Sequence, residues 1–476
     1  MYKKIVAVSM MFVMPVVGME VGKHDGGEYC YRSPDSNSLG IYPTLQERQD
    51  LIDTYYQDVD YNVCKHTFLG EVDFQAIRDQ FPIFEQKVNG YPLIYLDSVS
   101  TAQMPQVVLD AITAYYHDYK SNVGRGIYLF AEKATNAFET TRAKVAHFVG
   151  AKKQEVVFTQ GTTASINLVA QAWAEHNLKA GDEIIVSEVE HNANFLPWQH
   201  LAQKNNLVLK VVAANYKGLV DADMLQRVIS DKTKLVAITH QSNVLGSSND
   251  IAALAQVAHE VGAKISVDAA QSIVHQKIDV KALDCDFLSF SAHKMYGPTG
   301  IGALYIHERL FDELVIPNFG GGMVYSVGVE SSEFKPMPHC LEAGTQPIAQ
   351  VIGLGAAIDF IQSNLDFNQV QKHETKLVQR FIDGLKELPG LEIISAIPED
   401  GDHNAMVVFI SDTHHAYEIA EYLNEYGIAV RAGYHCVHLY HQKLGERASV
   451  RVSFSIYNTQ EEVDFVLACL KKLLVK

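Results

Sequence analysis

Asp286-Phe-Leu-Ser-Phe-Ser-Ala-His-Lys294 is the stretch that decides how this chain is read. It is an apolar run that ends on a Ser, a His and a Lys. The residues that follow, Met295-Tyr-Gly-Pro-Thr-Gly300, can only turn. The run therefore predicts a buried strand with chemistry at its carboxyl end. Upstream, Ala263-Lys-Ile-Ser-Val-Asp268-Ala-Ala-Gln271 is a second apolar strand, and it ends on an acid. A lone lysine would be one more solvated surface charge. An amine that forms a Schiff base, with an acid that holds a pyridinium nitrogen, is the pair that pyridoxal 5'-phosphate (PLP) chemistry requires. Lys294 and Asp268, at matching strand ends, are the candidates for those two roles.

The alternation around them extends in both directions. Strand-like runs at 93–96, 155–158, 183–187, 207–212, 235–239, 264–267, 287–291 and 302–306 are separated by helical stretches. Such an order implies a mostly parallel sheet covered on both faces. After about residue 366 the order changes to helix 370–388, strands 391–394 and 405–410, helix 416–426, strand 428–431, a loop, strand 449–455 and helix 461–474. That pattern predicts a smaller α+β domain. The expected organisation is an irregular extension over 19–70, a segment at 71–94 that packs with the small domain, a large domain over 95–365 and a small one over 366–476.

Composition bounds the function. The chain has 476 residues, 47% of them apolar and 20% charged, as in an ordinary globular enzyme. A net charge of −17 argues against nucleic acid and against an anionic membrane surface as partners. The six cysteines are too few for a disulfide scaffold of this size, and neither they nor the 20 histidines show metal-ligand spacing, so no metal is expected. Lys3 and Lys4 precede an apolar run from Ile5 to Val17, and Val16-Val-Gly18 offers small residues for cleavage. Residues 3–18 thus have the layout of a secretory signal peptide and are too short for a stable membrane span. A mis-assigned start or a docked apolar tail is the alternative. If the chain is exported, Cys30 and Cys64 are the candidates for a disulfide.

Other strand ends carry further candidates. Gln160-Gly-Thr162-Thr163 follows a strand and opens a helix, so its backbone N–H groups and hydroxyls suit a phosphate; a plain threonine cap is the alternative. His191, after strand 183–187, is placed to stack on a planar cofactor. Gln271 lies just past Asp268, where it would meet a ring hydroxyl, while Ser291 and His293 precede the lysine and would complete the phosphate contacts. Farther on, Arg431-Ala-Gly-Tyr-His435-Cys436 ends a short strand, and a cysteine on a mobile loop beside His and Arg is a candidate nucleophile. Arg451 lies on strand 449–455, where its fork suits a substrate carboxylate; a surface ion pair is the competing reading.

Taken together, these stretches resemble the group II cysteine desulfurases, the branch that includes selenocysteine lyases, within the class V aminotransferase-like PLP enzymes. The likeness runs from about Asp73 to Leu474. It is carried by Tyr95-Leu-Asp-Ser98, Gly161-Thr-Thr163, Glu190-His191, Ser242-Asn243-Val-Leu-Gly246, Val267-Asp268, Ala270-Gln271, His293-Lys-Met-Tyr-Gly-Pro-Thr-Gly300, Glu342-Ala-Gly-Thr345, Arg431, His435-Cys436 and Arg451. The resemblance implies an α/β chain of PLP-dependent transferase fold type I, with a mostly parallel seven-stranded sheet and a smaller α+β C-terminal domain. It implies conversion of L-cysteine to L-alanine, with the sulfur passed to Cys436 as a persulfide, and L-selenocysteine as a second substrate. Lys294 would carry the cofactor, Asp268 pair with its ring nitrogen and His191 stack on it. Thr162, Thr163, Ser291 and His293 would hold the phosphate, Asn243 lie near ring and carboxylate, and Arg451 bind the substrate carboxylate. Thr345 would reach the phosphate of a neighbouring subunit in a homodimer, and a sulfur-acceptor protein would draw the product toward uses such as iron–sulfur cluster assembly. A family of this kind mostly works in the cytosol, which stands against the signal-like N-terminus.

The chain also departs from the family pattern. Gly124 stands where a His is usual, Ala164 where an acid is, and Tyr434 where His or Gln is. Val437-His438-Leu439-Tyr440-His441 replaces a small residue followed by Pro-Leu. The last change bears on sulfur transfer and not on PLP binding. Another PLP reaction on the same fold, such as an epimerase, aminotransferase or β-lyase, and a non-catalytic PLP-binding scaffold are the competing functions.

Overall fold

The computed structural model describes residues 70–475 except 125, 399–403 and 446, together with the three short strands Val21–Lys23, Tyr29–Arg32 and Leu39–Ile41. The expected signal segment and Cys64 lie outside the described residues, as does the side chain of Cys30. The stretch read as irregular holds the three short strands, paired antiparallel in chain order.

Seven strands form the central sheet: β1 (Val156–Thr159), β2 (Glu183–Ser187), β3 (Val208–Val212), β4 (Thr233–Thr239), β5 (Lys264–Asp268), β6 (Phe287–Ser291) and β7 (Gly302–Ile306). Their order across the sheet is β1-β7-β6-β5-β4-β2-β3. Six run in one direction, and only β7 runs against its neighbours β1 and β6. Strands β2, β6 and β7 are buried at every position, as expected for a sheet covered on both faces. Two separate apolar cores cover those faces, one containing Val236, Val267 and Leu288 and the other Ile184, Ala237 and Phe287. Neighbouring residues of one strand thus point into opposite cores, which is the period-2 rule at work. Among the described residues no single helix is long and apolar enough to cross a membrane. The apolar helix Ile348–Asn364 is buried within the protein instead.

The small domain is a four-stranded antiparallel sheet in the order β8 (Leu391–Ile393), β9 (Met406–Ser411), β11 (Ser449–Ser453), β10 (Arg431–Gly433). Helices Phe367–Lys386 and Gln460–Leu474 pack around a third core with Phe381, Phe409 and Phe454. The N-terminal segment runs along this domain. Ile94–Tyr95 pairs in parallel with Ile428–Ala429, Phe74 stacks on His373 at 3.9 Å between ring centres, and Arg78 pairs with Glu462 at 2.7 Å. The next residues, Asp97 to Ser100, are thereby delivered to the seam between the two domains.

Candidate active site

The carboxyl ends of β1, β2, β4, β5 and β6 converge on a cavity of about 170 Å³, closed on its far side by β10 and β11 of the small domain. Its floor shows how the strand ends were made to meet. Thr159, Gly302 and Ser291 lie side by side in register. A Cβ on Gly302 would stand 2.3 Å from the Phe290 carbonyl oxygen and 2.6 Å from Gly161 Cα. Only glycine lets β1 and β6 come this close across β7. The result is that Ser291 Oγ accepts the Thr162 N–H at 2.8 Å and lies 2.8 Å from the Thr162 hydroxyl. Gly161, at φ 138°, turns the chain into helix Thr162–Val169, whose first two residues, the buried Thr162 and the exposed Thr163, line the cavity. Ser291, Thr162 and Thr163 thus share one corner, with the chemistry of an anion cradle, and His293 lines the same cavity.

Lys294 follows β6 and lines the same cavity. Its amine makes no hydrogen bond or ion pair among the described residues, and burial lowers its pKa to about 8, against the pull of Asp268. Asp268 ends β5 between Thr239 and Ser289 and is 5% exposed. Its Oδ1 accepts the Ala270 N–H at 2.9 Å, and burial raises its pKa. A buried carboxylate with one neutral donor calls for a cationic N–H partner. Gln271 sits beside it and donates to the Val99 carbonyl at 3.0 Å.

His191 is held by the turn after β2. Glu190, 3% exposed, is fixed by Ser187 at 2.6 Å, Asn194 at 2.6 Å and the Thr239 N–H at 2.9 Å. Burial pushes the Glu190 carboxyl up to about 8, against the pull of the three donors that face it. His191 Nδ1 accepts the Ala193 N–H at 3.1 Å. Burial and then Lys294 and the two arginines lower its pKa to about 4. The ring is therefore neutral and suited to lie flat on another aromatic ring. His293, with Nδ1 3.2 Å from Thr101 Oγ1, is lowered to about 4 by burial and by Lys294.

The opposite wall is cationic. Arg431 on β10 and Arg451 on β11 are directly opposed across the small sheet. Ser100 Oγ accepts from both, at 2.7 Å each, and donates to Asp97 Oδ1 at 2.7 Å. Arg451 also donates to the Asn243 carbonyl at 2.9 Å and to Asp97 at 3.1 Å. Its Nε has no partner among the described residues. Asp97 is the one anion in this hydrogen-bonded cluster of two guanidinium groups, so the wall suits a further negative charge. Ser100 and Asp97 were not among the expected site residues, and Arg431 was expected only beside the cysteine, because the contacts that join them link segments 331 residues apart in the chain.

Arg431 Nη2 also lies 3.8 Å from Cys436 Sγ. The loop expected around this cysteine carries a short helix of its own. Ile428–Ala429 and Arg431–Gly433 belong to different sheets, with Val430 as the break, and the short helix His438–Lys443 begins two residues after the cysteine. Val437 is fully buried. Two contacts from the large domain reach the turn: Asn243 Nδ2 donates to the His435 carbonyl at 2.8 Å, and the Asn192 N–H to the Cys436 carbonyl at 2.8 Å. The structure thus brings every expected site residue to this seam except Thr345. Thr345 lines a second, larger cleft of about 1050 Å³, next to a buried pair in which Arg142 holds Glu342 at 2.6 and 2.8 Å. Among the described residues no group of side chains is arranged to hold a metal ion.

The fit to PLP is good on the structure's own terms. A buried acid lacks a hydrogen-bonded cation, an amine of lowered pKa is free in the same cavity, and an anion cradle lies at the far corner. Comparisons with known proteins agree. The family model described as aminotransferase class-V matches residues 94–466. A cysteine desulfurase of Haloferax volcanii is 43% identical over 407 residues, covering 83% of this chain and 95% of that one. A probable cysteine desulfurase of Synechocystis is 41% identical over 398 residues, covering 83% and 94%. Among solved structures, the apo cysteine desulfurase of Thermococcus onnurineus superposes with a TM-score of 0.80 at 37% identity, over 85% of this chain and 98% of that one. The Escherichia coli cysteine desulfurase CsdA, in its S-sulfonic acid form, gives 0.79 at 36% identity, over 85% and 100%. The chain belongs to the class V aminotransferase family of PLP enzymes, with fold type I, and is closely related to the cysteine desulfurases.

Proposed function

We propose that this protein converts L-cysteine to L-alanine and takes the sulfur onto Cys436 as a persulfide. The observation that carries the reading is the Arg431 guanidinium, which lies 3.8 Å from Cys436 Sγ and shares Ser100 with Arg451. One cationic wall thus addresses both the substrate carboxylate and the sulfur nucleophile. The names of the relatives support the same chemistry.

Lys294, Asp268, Gln271 and His191 are the residues that would hold PLP by its aldehyde, ring nitrogen, hydroxyl and face; Thr162, Thr163, Ser291 and His293 would hold its phosphate. When bound, PLP supplies the electron sink that acidifies the substrate Cα–H and lets the Cβ–S bond break. Arg451 and Arg431 orient the substrate by its carboxylate, and Asn243 ties this wall to the Cys436 turn. Lys294, with its lowered pKa, takes the proton from Cα and returns one. The Cys436 thiolate attacks the substrate sulfur: an S–S bond forms, the substrate C–S bond breaks with its electron pair left on carbon, Cβ takes up a proton, and alanine leaves. L-selenocysteine is the second substrate, since selenium leaves more readily than sulfur.

A homodimer is part of the proposal. Thr345 stands apart from the cavity of its own chain, and Ile127, Tyr128, Leu129 and Phe130 form an exposed apolar run of the kind an obligate interface covers. An assay of sulfide and alanine from cysteine, selenocysteine and other amino acids tests the reading. With a thiol reductant present to release the persulfide sulfur, equimolar alanine and sulfide from cysteine supports it. Transamination, racemisation or pyruvate formation in their place would assign a different PLP reaction, and no turnover of any amino acid would leave a binding scaffold.

A further inference from the structure

The backbone at the cysteine is strained. His435 and Cys436 both lie in the left-handed region, at φ 48° and 58°, and neither is glycine. L-residues hold that conformation only where the surroundings over-determine it. The two contacts from the large domain account for one side of the turn. On the other side lie three buried polar side chains: His435, Ser449 and His441, 3%, 0% and 1% exposed. His435 Nε2 and His441 Nε2 each stand 3.0 Å from Ser449 Oγ, and His441 Nδ1 stands 3.0 Å from the Val437 carbonyl oxygen.

The protons in this row are assigned by elimination. A carbonyl only accepts, so His441 Nδ1 carries a proton. Burial lowers the pKa of His441, so its ring is neutral and Nε2 is bare. The Ser449 hydroxyl has two acceptors within reach, His441 Nε2 at 3.0 Å and the Gly433 carbonyl at 3.4 Å; the shorter contact takes its proton, and the oxygen accepts from His435 Nε2–H. His435 is pushed down to about 2 by burial and by the nearby Arg451, His441 and Arg431, so it too is neutral. Its Nδ1 is buried without a partner among the described residues. The row runs in one direction, from His435 through Ser449 and His441 to the Val437 carbonyl. Its ends are the residues immediately before and after Cys436.

We propose that the His435–Ser449–His441 row is a clamp that fixes the left-handed turn at Cys436, and that His441 is a positioning residue for sulfur transfer. The transfer half of this inference rests on Cys436 being the sulfur acceptor. His441 does not line the cavity; it acts by holding both neighbours of the cysteine. It stands in the segment where this chain departs from the family pattern, whereas His435 matches that pattern.

The test compares PLP-loaded wild type with His441→Leu, Ser449→Ala, the double variant and His441→Gln. Glutamine offers a carbonyl to Ser449 and an N–H to Val437. Two quantities are read: kcat and KM for sulfide release from cysteine with a thiol reductant present, and the rate at which iodoacetamide alkylates Cys436 in the resting, reductant-free protein. PLP absorbance serves as the fold control. A misplaced nucleophile should lower kcat by about 10- to 100-fold in His441→Leu and Ser449→Ala, with KM unchanged. Cys436 alkylation should rise several-fold as the turn opens. The double variant should be no worse than either single one, and His441→Gln should recover most of the loss. Alkylation rates within about twofold of wild type in both single variants would overturn the clamp. So would a glutamine variant no better than the leucine one. If His441→Leu does not retain PLP, Ser449→Ala, which removes one oxygen, carries the test. Alkylation needs no turnover, so it judges the clamp separately. Normal sulfide release from a Cys436→Ser protein would instead refute the acceptor role alone.

Discussion

Replacing Arg451 with leucine should weaken capture of the amino-acid substrate while leaving the cofactor in place. Arg451 is 1% exposed. Its Nη1 and Nη2 are engaged by the Asn243 carbonyl, Asp97 and Ser100, which leaves Nε as the donor without a partner among the described residues. A hydrogen bond from a charged donor contributes about 1.5–3 kcal/mol. At tenfold per 1.4 kcal/mol, KM for L-cysteine should rise by about 10- to 150-fold. The fold should tolerate the change. Asp97 keeps the Ser100 hydroxyl at 2.7 Å, and Ser100 keeps Arg431, so no carboxylate is left bare. Arg451→Lys keeps the charge but not the planar fork, and should fall between. The assay is alanine and sulfide formation against cysteine concentration, with PLP absorbance recorded on the same samples. A KM within about twofold of wild type, in a leucine variant that still holds PLP, would refute the carboxylate assignment.

Three further outcomes follow from the geometry. Lys294→Ala should lose the absorbance of lysine-bound PLP, and borohydride treatment should leave PLP on no other lysine; a stable link elsewhere would refute the assignment. In apo-protein, Lys294 should react with acetic anhydride along a titration centred near pH 8, because the neutral amine is the reactive form and burial favours it; a midpoint near the ordinary 10.5 would show that the amine is solvated. Gly302→Ala should cost PLP affinity more than PLP-free stability, since its Cβ would meet backbone at 2.3 and 2.6 Å and push the phosphate corner open; unchanged PLP affinity by titration would contradict the strand-end argument.

The strand ends were legible because each is a short apolar run stopped by polar residues. Strands β2, β6 and β7 lie where the period and the turn residues predict, and Asp268 and Lys294 follow from them directly. The cysteine turn was not legible. Residues 428–431 read as one short strand, yet the chain changes sheets at Val430, and nothing local marks that change. The helix His438–Lys443 spans 6 residues, too few to show a helical period. His435 and Cys436 take left-handed φ values that sequence usually announces with glycine. Arg431, Ser100 and Asp97 form a site only because the N-terminal segment pairs with the small domain, a contact between segments far apart in the chain. Ser449 and His441 became meaningful only when seen beneath the turn.

Mass spectrometry of the Cys436 peptide after a short pulse of L-cysteine tests the account most directly. The PLP-loaded wild type should carry the mass of one extra sulfur on that peptide, removable by a thiol reductant. A Cys436→Ser protein should keep its PLP absorbance, still respond to cysteine, and release almost no sulfide. An unmodified Cys436 peptide in wild type that is turning over cysteine, with normal sulfide release from Cys436→Ser, would contradict the account.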